Sequence, residues 1–214
     1  MITTLATKEA TQLIDGPAGK LEIAVSEPTG ESRPAWGIVC HPHPLFGGTM
    51  HNKIVTTLSK TFQGLGLSTV RFNFRGVMRS EGKFDNGEGE LDDLLAVIDW
   101  VQRERVKNEI WLAGFSFGAY IAAKAATQIP VNKLVTVAPP VQHFPMQQLP
   151  PITCTWVLVQ GELDDVVPAK EVLTWAESRN PPPIIIRFPK AGHYFHGELV
   201  ELRTRIEEAL GRVD

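Results

Sequence analysis

Several features are missing from this 214-residue sequence, and each absence excludes a class of protein. No apolar run approaches the length of about 18 residues that a membrane span requires. Residues 1–12 lack the basic and apolar pattern of a signal peptide, which predicts a cytoplasmic protein. Lys and Arg number 21 against 24 Asp and Glu, and this net charge of −3 gives no basic excess to recruit nucleic acid or an anionic membrane.

Cysteines and nucleotide-binding motifs are also scarce. The two cysteines, Cys40 and Cys154, lie in apolar runs typical of central strands, so we predict buried free thiols in preference to a disulfide. The chain has no GxxxxGK[ST] phosphate loop, and no GxGxxG follows a strand, so nucleotide binding is not expected. With 43% hydrophobic and 21% charged residues, the chain is predicted to fold as one globular domain over residues 1–214.

Apolar runs and helical patterns alternate along most of the chain. Residues 10–28 predict an antiparallel hairpin around a Gly-Pro-Ala-Gly turn. Further strands are predicted at 36–40, 67–74, 110–113, 133–138, 153–160 and 184–188. Helices are predicted at 51–63, 91–106, after the turn at 114–118, at 168–178 and from about 197. This alternation indicates an α/β fold with a mainly parallel sheet and helices on both faces.

The segment GFSFG at 114–118 follows a short apolar run and precedes an alanine-rich segment of buried type. It has the form of a nucleophile elbow, in which Ser116 sits at positive φ on a sharp turn between strand and helix. Gly114 and Gly118 are the small residues that such a close approach of backbones needs. The alternative is a glycine-flanked serine that merely caps a helix.

A serine hydroxyl is a weak nucleophile, so it needs a base and the base needs an orienting acid. After an elbow serine the expected order along the chain is acid and then histidine. Carboxylates at the end of a predicted strand are Glu162, Asp164 and Asp165. The histidines downstream are His143, His193 and His196.

Together GFSFG, GELDDVVP and the AGH segment resemble the α/β-hydrolase superfamily. HPHPLFGG and FNFRGVMRSEG are similar to the small lidless bacterial serine hydrolases of the dienelactone-hydrolase and carboxylesterase type. The resemblance implies a triad of Ser116, Asp164 and His193. Asp165 is the alternative acid and His196 the alternative base, while Glu162 is expected at the rim. Met78 stands where this group usually has glycine, so the loop around it is expected to differ in shape.

The backbone N–H of Phe117, the residue after the serine, is predicted to be one donor of an oxyanion hole. A second donor is expected from the loop CHPHPLFGG. Pro42 and Pro44 carry no N–H, which leaves His43 or Leu45. The resemblance favours His43.

The interval between the strands at 133–138 and 153–160 is too short for a cap domain, so an open site is predicted. Its walls are expected to include Leu45, Phe46, His143, Phe144, Tyr194 and Phe195. We expect a small-molecule ester or thioester of small to medium acyl size as substrate. The two alternatives are an amide or peptide hydrolase and a non-catalytic binding module.

A triad of this kind needs no cofactor, and none is expected. The paired histidines His41 and His43 suggest a metal site only weakly, because no carboxylate or cysteine pair joins them at ligand spacing. His41 is instead expected to stabilise its loop. The protein is expected to be a monomer or a homodimer.

Overall fold

The computed structural model describes residues 9–28, 30–104 and 109–211. Its strands are β1 Ala10–Gly16, β2 Gly19–Ser26, β3 Ala35–Cys40, β4 Ser68–Phe72, β5 Glu109–Phe115, β6 Lys133–Val137, β7 Thr155–Gly161 and β8 Ile184–Phe188. Its helices are α1 Lys53–Gly64, α2 Glu88–Glu104, α3 Phe117–Ala126, α4 Ala169–Glu177 and α5 Leu199–Gly211, with 3₁₀ turns at Pro44–Phe46 and Met146–Gln148. The predicted alternation of strands and helices is confirmed.

The eight strands form one sheet in the order β1-β2-β4-β3-β5-β6-β7-β8. The β1–β2 and β2–β4 pairs are antiparallel, and every other pair is parallel. The predicted hairpin and the mainly parallel sheet are therefore both correct. Because parallel strands share a direction, the loops that follow β3, β5, β6, β7 and β8 meet at one edge of the sheet.

Hydrophobic side chains pack on both faces of the sheet, as continuous apolar strands require. Ile38 belongs to a core that includes α2, α3 and α4, whereas its neighbour Val39 belongs to a core that includes α1 and α5. Leu112 belongs to the first of these cores and Ala113 to the second, since successive side chains of a strand point to opposite faces. The predicted helices on both faces are confirmed.

The helix boundaries differ from the prediction by one to three residues, and at the start of α2 and of α5 the structure shows why. Helix α2 begins at Glu88 rather than Leu91, because Glu90 accepts hydrogen bonds from the N–H groups of Asp85 and Gly87 and so satisfies the turn before it. The predicted end of this helix at 105–106 lies outside the described residues. Helix α5 begins at Leu199, two residues later than expected, after a turn that contains Gly197 at φ 79°.

A long loop between β4 and α2 is anchored by a buried ion pair. The guanidinium of Arg75 donates to both carboxylate oxygens of Asp93, at 2.7 to 3.1 Å, and the N–H of Arg75 also binds Asp93. This anchoring brings the Phe84 ring against the rings of His43 and Phe117. Met78, in the same loop, lies at φ 50° and is exposed.

The segment between β6 and β7, residues 138–154, contains a single 3₁₀ turn and no inserted domain, as the interval predicts. Cys40 is buried and Cys154 is half-buried, and both are free thiols, so the expectation of full burial is correct only for Cys40. Within the described parts of the chain, no helix is both long and apolar enough to cross a bilayer.

Candidate active site

Ser116 occupies the turn between β5 and α3. Its backbone lies at φ 52° and ψ −120°, a conformation that L residues rarely adopt. The strand before it is held between β3 and β6, and the N–H of Ser116 donates to the carbonyl of Val137. The surrounding backbone therefore fixes the strained turn, as the GFSFG pattern predicts.

The two glycines beside Ser116 mark places where backbones touch. A Cβ on Gly114 would lie 2.1 Å from the carbonyl oxygen of Gly118. A Cβ on Gly118 would lie 2.4 Å from the carbonyl oxygen of Cys40, at the end of β3. Strand β3, strand β5 and helix α3 are thus locked together around the serine, and only glycine permits this contact.

Asp164 and His193 form a buried pair at the same edge of the sheet. The Nδ1 atom of His193 lies 2.9 Å from the Oδ2 atom of Asp164. The other carboxylate oxygen, Oδ1, accepts the N–H groups of Val166 and Val167 at 2.9 and 2.7 Å. Because an ionised carboxylate only accepts, Nδ1 of His193 carries the proton and Nε2 is left to act as a base.

Gln160, at the end of β7, also contacts this carboxylate. Its Nε2 atom faces three acceptors, which are Oδ2 of Asp164 at 3.2 Å and the carbonyls of Gly161 and Val167. Burial of Asp164 acts to raise its pKa, but the hydrogen bonds from His193 and from the N–H groups of Val167 and Val166 outweigh burial and lower the pKa below its usual value. Asp164 is therefore ionised at neutral pH.

The structure brings His193 to Asp164 and not to the alternative acid. Asp165 and Glu162 are exposed, and the alternative base His196 is exposed beside the ring of Tyr194. Helix α4 is preceded by Pro168 and has no side-chain cap.

Phe115 contacts the Asp164–His193 pair and is the neighbour of Ser116 in the chain. Its ring lies 5.0 Å from the His193 ring, centroid to centroid, and Phe115 directly precedes Ser116. The hydroxyl of Ser116 makes no hydrogen bond among the described residues. In serine hydrolases the hydrogen bond between the serine hydroxyl and the histidine commonly tightens only when substrate is bound.

The loop after β3 supplies the second wall of the serine site. The N–H of Leu45 is already engaged, because it donates to Nδ1 of His43 at 3.2 Å. The N–H of Phe117 is the first of α3 and therefore has no acceptor within the helix. Of the two expected second donors, the backbone N–H of His43 therefore stays the favoured prediction. The same bond requires Nδ1 of His43 to be unprotonated, and burial lowers the pKa of this imidazole.

His41 fixes this loop from beneath. Its Nδ1–H donates to the carbonyl of Pro42 at 2.6 Å, and its Nε2 accepts the N–H of Phe74 at 3.0 Å. Burial lowers the pKa of His41 to about 4, so the ring is neutral at pH 7. The expected role of His41 in stabilising the loop agrees with these bonds. Within the described residues, no group of three or more His, Cys, Asp or Glu side chains could hold a metal ion.

A cavity of about 520 Å³ opens beside Ser116. Its walls come from the loops that follow β3, β6 and β7, together with the start of α3. The lining residues are His43, Phe46, Ser116, Phe117, Pro140, His143, Phe144, Val166 and Val167. Most of this lining is apolar, and a volume in this range suits a small-molecule group.

Three of the six predicted wall residues, Phe46, His143 and Phe144, line this cavity. Leu45 and Tyr194 are exposed and lie outside its lining. Placing Phe195 in the wall is wrong, because its side chain is fully buried against Phe188 in the core beneath α5. Three consecutive side chains, Tyr194 to His196, cannot all face the site, since Phe195 turns into the core at φ 50°.

Sequence reasoning missed Pro140, Val166, Val167 and Gln160. Val166 and Val167 follow Asp164 by two and three residues, at the positions whose N–H groups an aspartate side chain commonly binds in a turn. That spacing was the signal in the sequence from which Val166 and Val167 could have been identified. Gln160 carries no comparable signal, since its role depends on three acceptors that only the fold brings together.

A known protein family matches most of the chain. The family model described as X-Pro dipeptidyl-peptidase (S15 family) matches residues 15–148. The matched region contains the elbow but ends before Asp164 and His193. An uncharacterised protein of Rickettsia prowazekii is 37% identical over 163 residues, which cover 74% of this chain and 68% of that relative.

Two solved structures are similar to nearly the whole chain. An α/β serine hydrolase homologue from Coxiella burnetii shares 47% identity with a TM-score of 0.92, covering 96% of this chain and 99% of that one. An α/β serine hydrolase without a lid from Xanthomonas campestris shares 40% identity, also with a TM-score of 0.92, over 97% of this chain and 96% of that one.

Proposed function

This chain belongs to the X-Pro dipeptidyl-peptidase (S15) family, among the α/β serine hydrolases without a lid, and on that premise we propose that it cleaves carboxylic esters or thioesters of small to medium acyl size through an acyl-enzyme on Ser116. One observation carries this proposal. A positive-φ serine lines an apolar cavity, and Phe115, the residue before it, packs its ring against His193 of the buried Asp164–His193 pair.

In the proposed mechanism, Nε2 of His193 takes the proton of the Ser116 hydroxyl while the serine oxygen attacks the acyl carbon. The carbonyl oxygen becomes an oxyanion that accepts the N–H groups of Phe117 and His43. His193 then gives its proton to the departing alcohol or thiol as the bond to the acyl carbon breaks. Water, deprotonated by His193, then attacks the acyl carbon, and His193 returns the proton to the Ser116 oxygen as the acyl bond to it breaks and the acid is released.

The lining of the cavity indicates which part of the substrate enters it. The leaving group must lie beside His193, which protonates it. The cavity is lined by Ser116 and by Phe117 and His43, the proposed oxyanion donors, but His193 is not part of its lining. We therefore assign the cavity to the acyl group, and the leaving group to the open side near the exposed ring of Tyr194. Because this side is open, we expect little selectivity for the structure of the alcohol.

Hydrolysis of a peptide bond is the second candidate, and the match to the X-Pro dipeptidyl-peptidase family favours it. Recognition of a free amino terminus needs a group that binds an ammonium ion. Among the described residues that line the cavity there is no carboxylate, so an apolar acyl group fits better.

The test is labelling with a fluorophosphonate probe at neutral pH, followed by mass mapping of the adduct. We expect a stoichiometric adduct on Ser116, its loss in Ser116→Ala and its retention in the exposed control Ser32→Ala. The same proteins are then assayed on a p-nitrophenyl ester and on an Xaa-Pro p-nitroanilide. Faster turnover of the anilide would favour the peptidase, and a folded protein that forms no adduct would favour a non-catalytic binding module.

A further inference from the structure

Four aromatic rings form a continuous wall along one side of the cavity. The Phe46 and His43 rings lie 4.7 Å apart, His43 and Phe117 5.1 Å, and Phe117 and Phe144 5.1 Å, measured between centroids. All four residues line the cavity. They come from three separate segments of the chain, so the fold, and not local sequence, assembles this aromatic wall.

A second layer of rings holds three members of the aromatic wall in place, whereas Phe46, which is 85% exposed, contacts only the His43 ring among the described rings. Phe84 lies 4.8 Å from His43 and 5.8 Å from Phe117, and Tyr120 stacks on Phe144 at 4.9 Å with an interplanar angle of 24°. The Arg75–Asp93 ion pair anchors the loop that carries Phe84. Side chains packed in this way are fixed before a ligand arrives, so binding requires little reorganisation.

Most of the remaining lining is aliphatic. Pro140, Val166 and Val167 carry no polar side-chain atom, and the polar side chains beside them are those of Ser116 and the exposed His143. Aromatic rings pair by offset or edge-to-face contacts, which contribute beyond the burial of apolar area. A flexible alkyl chain gains the same burial but loses more rotational freedom when it is immobilised. A preformed aromatic wall therefore discriminates between acyl groups of equal size.

We propose that the cavity selects an aromatic acyl group, and that the preferred substrates are esters or thioesters of arylalkanoic acids. This inference rests on the proposed hydrolase function and specifies its substrate class. The ring of the acyl group packs against the aromatic wall, and its carboxyl carbon reaches Ser116. The alcohol or thiol remains on the open side.

The experiment compares p-nitrophenyl phenylacetate with p-nitrophenyl octanoate. The two esters have the same leaving group and the same number of acyl carbons. Each kcat/KM is divided by the rate constant for hydroxide-catalysed hydrolysis of the same ester, which removes the difference in intrinsic reactivity. We expect the wild-type protein to prefer the phenylacetate by about tenfold.

Phe144→Leu and Phe46→Leu each remove one ring of the aromatic wall, and we expect each to lower this preference severalfold. Phe62→Leu is the matched control, because Phe62 lies in the core on the opposite face of the sheet. It removes the same atoms without touching the cavity, so the preference must stay at the wild-type value even if the variant is less stable.

The possible outcomes distinguish the aryl preference from the proposed hydrolase function on which it rests. If both esters are hydrolysed with equal corrected kcat/KM, the aryl preference is overturned while the hydrolase function stands. The same holds if Phe144→Leu and Phe46→Leu retain the full preference. If the wild-type protein hydrolyses neither ester nor the thioester analogues, the proposed function fails and the aryl preference fails with it.

Discussion

His193 binds Asp164 through a single carboxylate oxygen, at 2.9 Å, while the other oxygen of Asp164 is bound by the backbone of its own loop. The acid is thus fixed to β7 and α4 independently of the histidine. A change in the charge of Asp164 should therefore affect the histidine tautomer far more than the fold.

Asp164→Asn tests this relationship. An amide retains the size of the side chain but presents a donor as well as an acceptor, which favours the wrong tautomer of His193. By analogy with serine hydrolases in general, we expect kcat to fall by about 10⁴-fold. Steady-state kinetics on a p-nitrophenyl ester measure the loss. Asp165→Asn changes the exposed neighbour in the same way and should leave kcat unchanged. Equal losses in both variants would contradict the assignment of the acid.

His41 makes the stability depend on pH. Its folded pKa of about 4 lies below the value of about 6.5 that a histidine has in an unfolded chain. Between these values the unfolded chain binds a proton that the folded protein does not, so stability falls as the pH decreases. We expect the free energy of unfolding to decrease by about 2 kcal/mol from this source between about pH 7 and about pH 5.

Urea unfolding at the two pH values measures this decrease. His41→Gln removes the titrating group and keeps a donor and an acceptor, so the pH dependence should flatten by the same amount. His51→Gln, at an exposed histidine, is the control and should leave the pH dependence unchanged. A wild-type pH dependence in His41→Gln would show that His41 titrates normally.

Gly118→Ala should disturb both stability and catalysis. The new methyl group would lie 2.4 Å from the carbonyl oxygen of Cys40 and 2.6 Å from that of His41, so α3 must shift away from β3. We expect a loss of about 2 kcal/mol or more in stability. We also expect a fall in kcat/KM of at least about tenfold, because the Phe117 N–H moves with the helix. Gly211→Ala, whose methyl group would meet open space, should change neither quantity.

The side chain of His43 should have two separable roles. It caps the 3₁₀ turn at Pro44–Phe46 by accepting the N–H of Leu45, and its ring belongs to the aromatic wall. His43→Ala removes both. The turn loses a cap that contributes about 1 kcal/mol to stability, and we expect kcat to fall severalfold because the backbone N–H of His43 is then held less firmly beside Ser116. His43→Asn restores the cap and should recover kcat, but it should not recover the preference for aryl-acyl esters. Failure of Asn to raise kcat above the Ala variant would contradict the capping role.

Local patterns predicted most of the fold and the triad candidates. The strand at 36–40 and the elbow at 114–118 are each readable from a few neighbouring residues, whereas the choice of Asp164 and His193 among the candidates came from the family resemblance. What the sequence did not reveal depends on distant parts of the chain. Phe84 packs against His43 from a loop that the Arg75–Asp93 pair anchors, and Phe195 faces the core where its backbone turns at φ 50°. Neither contact leaves a periodicity or a motif.

The close contact between Gly118 in α3 and Cys40 in β3 makes one part of the molecule less tolerant of sequence change than the loops around the cavity. Gly118, Cys40 and the elbow form one rigid unit with the sheet, whereas His143 and Phe144 stand on a loop between β6 and β7 that no helix or strand crosses. Segment 139–152 can therefore be exchanged if its buried residues Val141, Met146, Leu149 and Ile152 are retained, because these pack in the core. Transplanting the corresponding loop from a relative would give this hydrolytic frame a different acyl specificity, and evolution has the same route open to it.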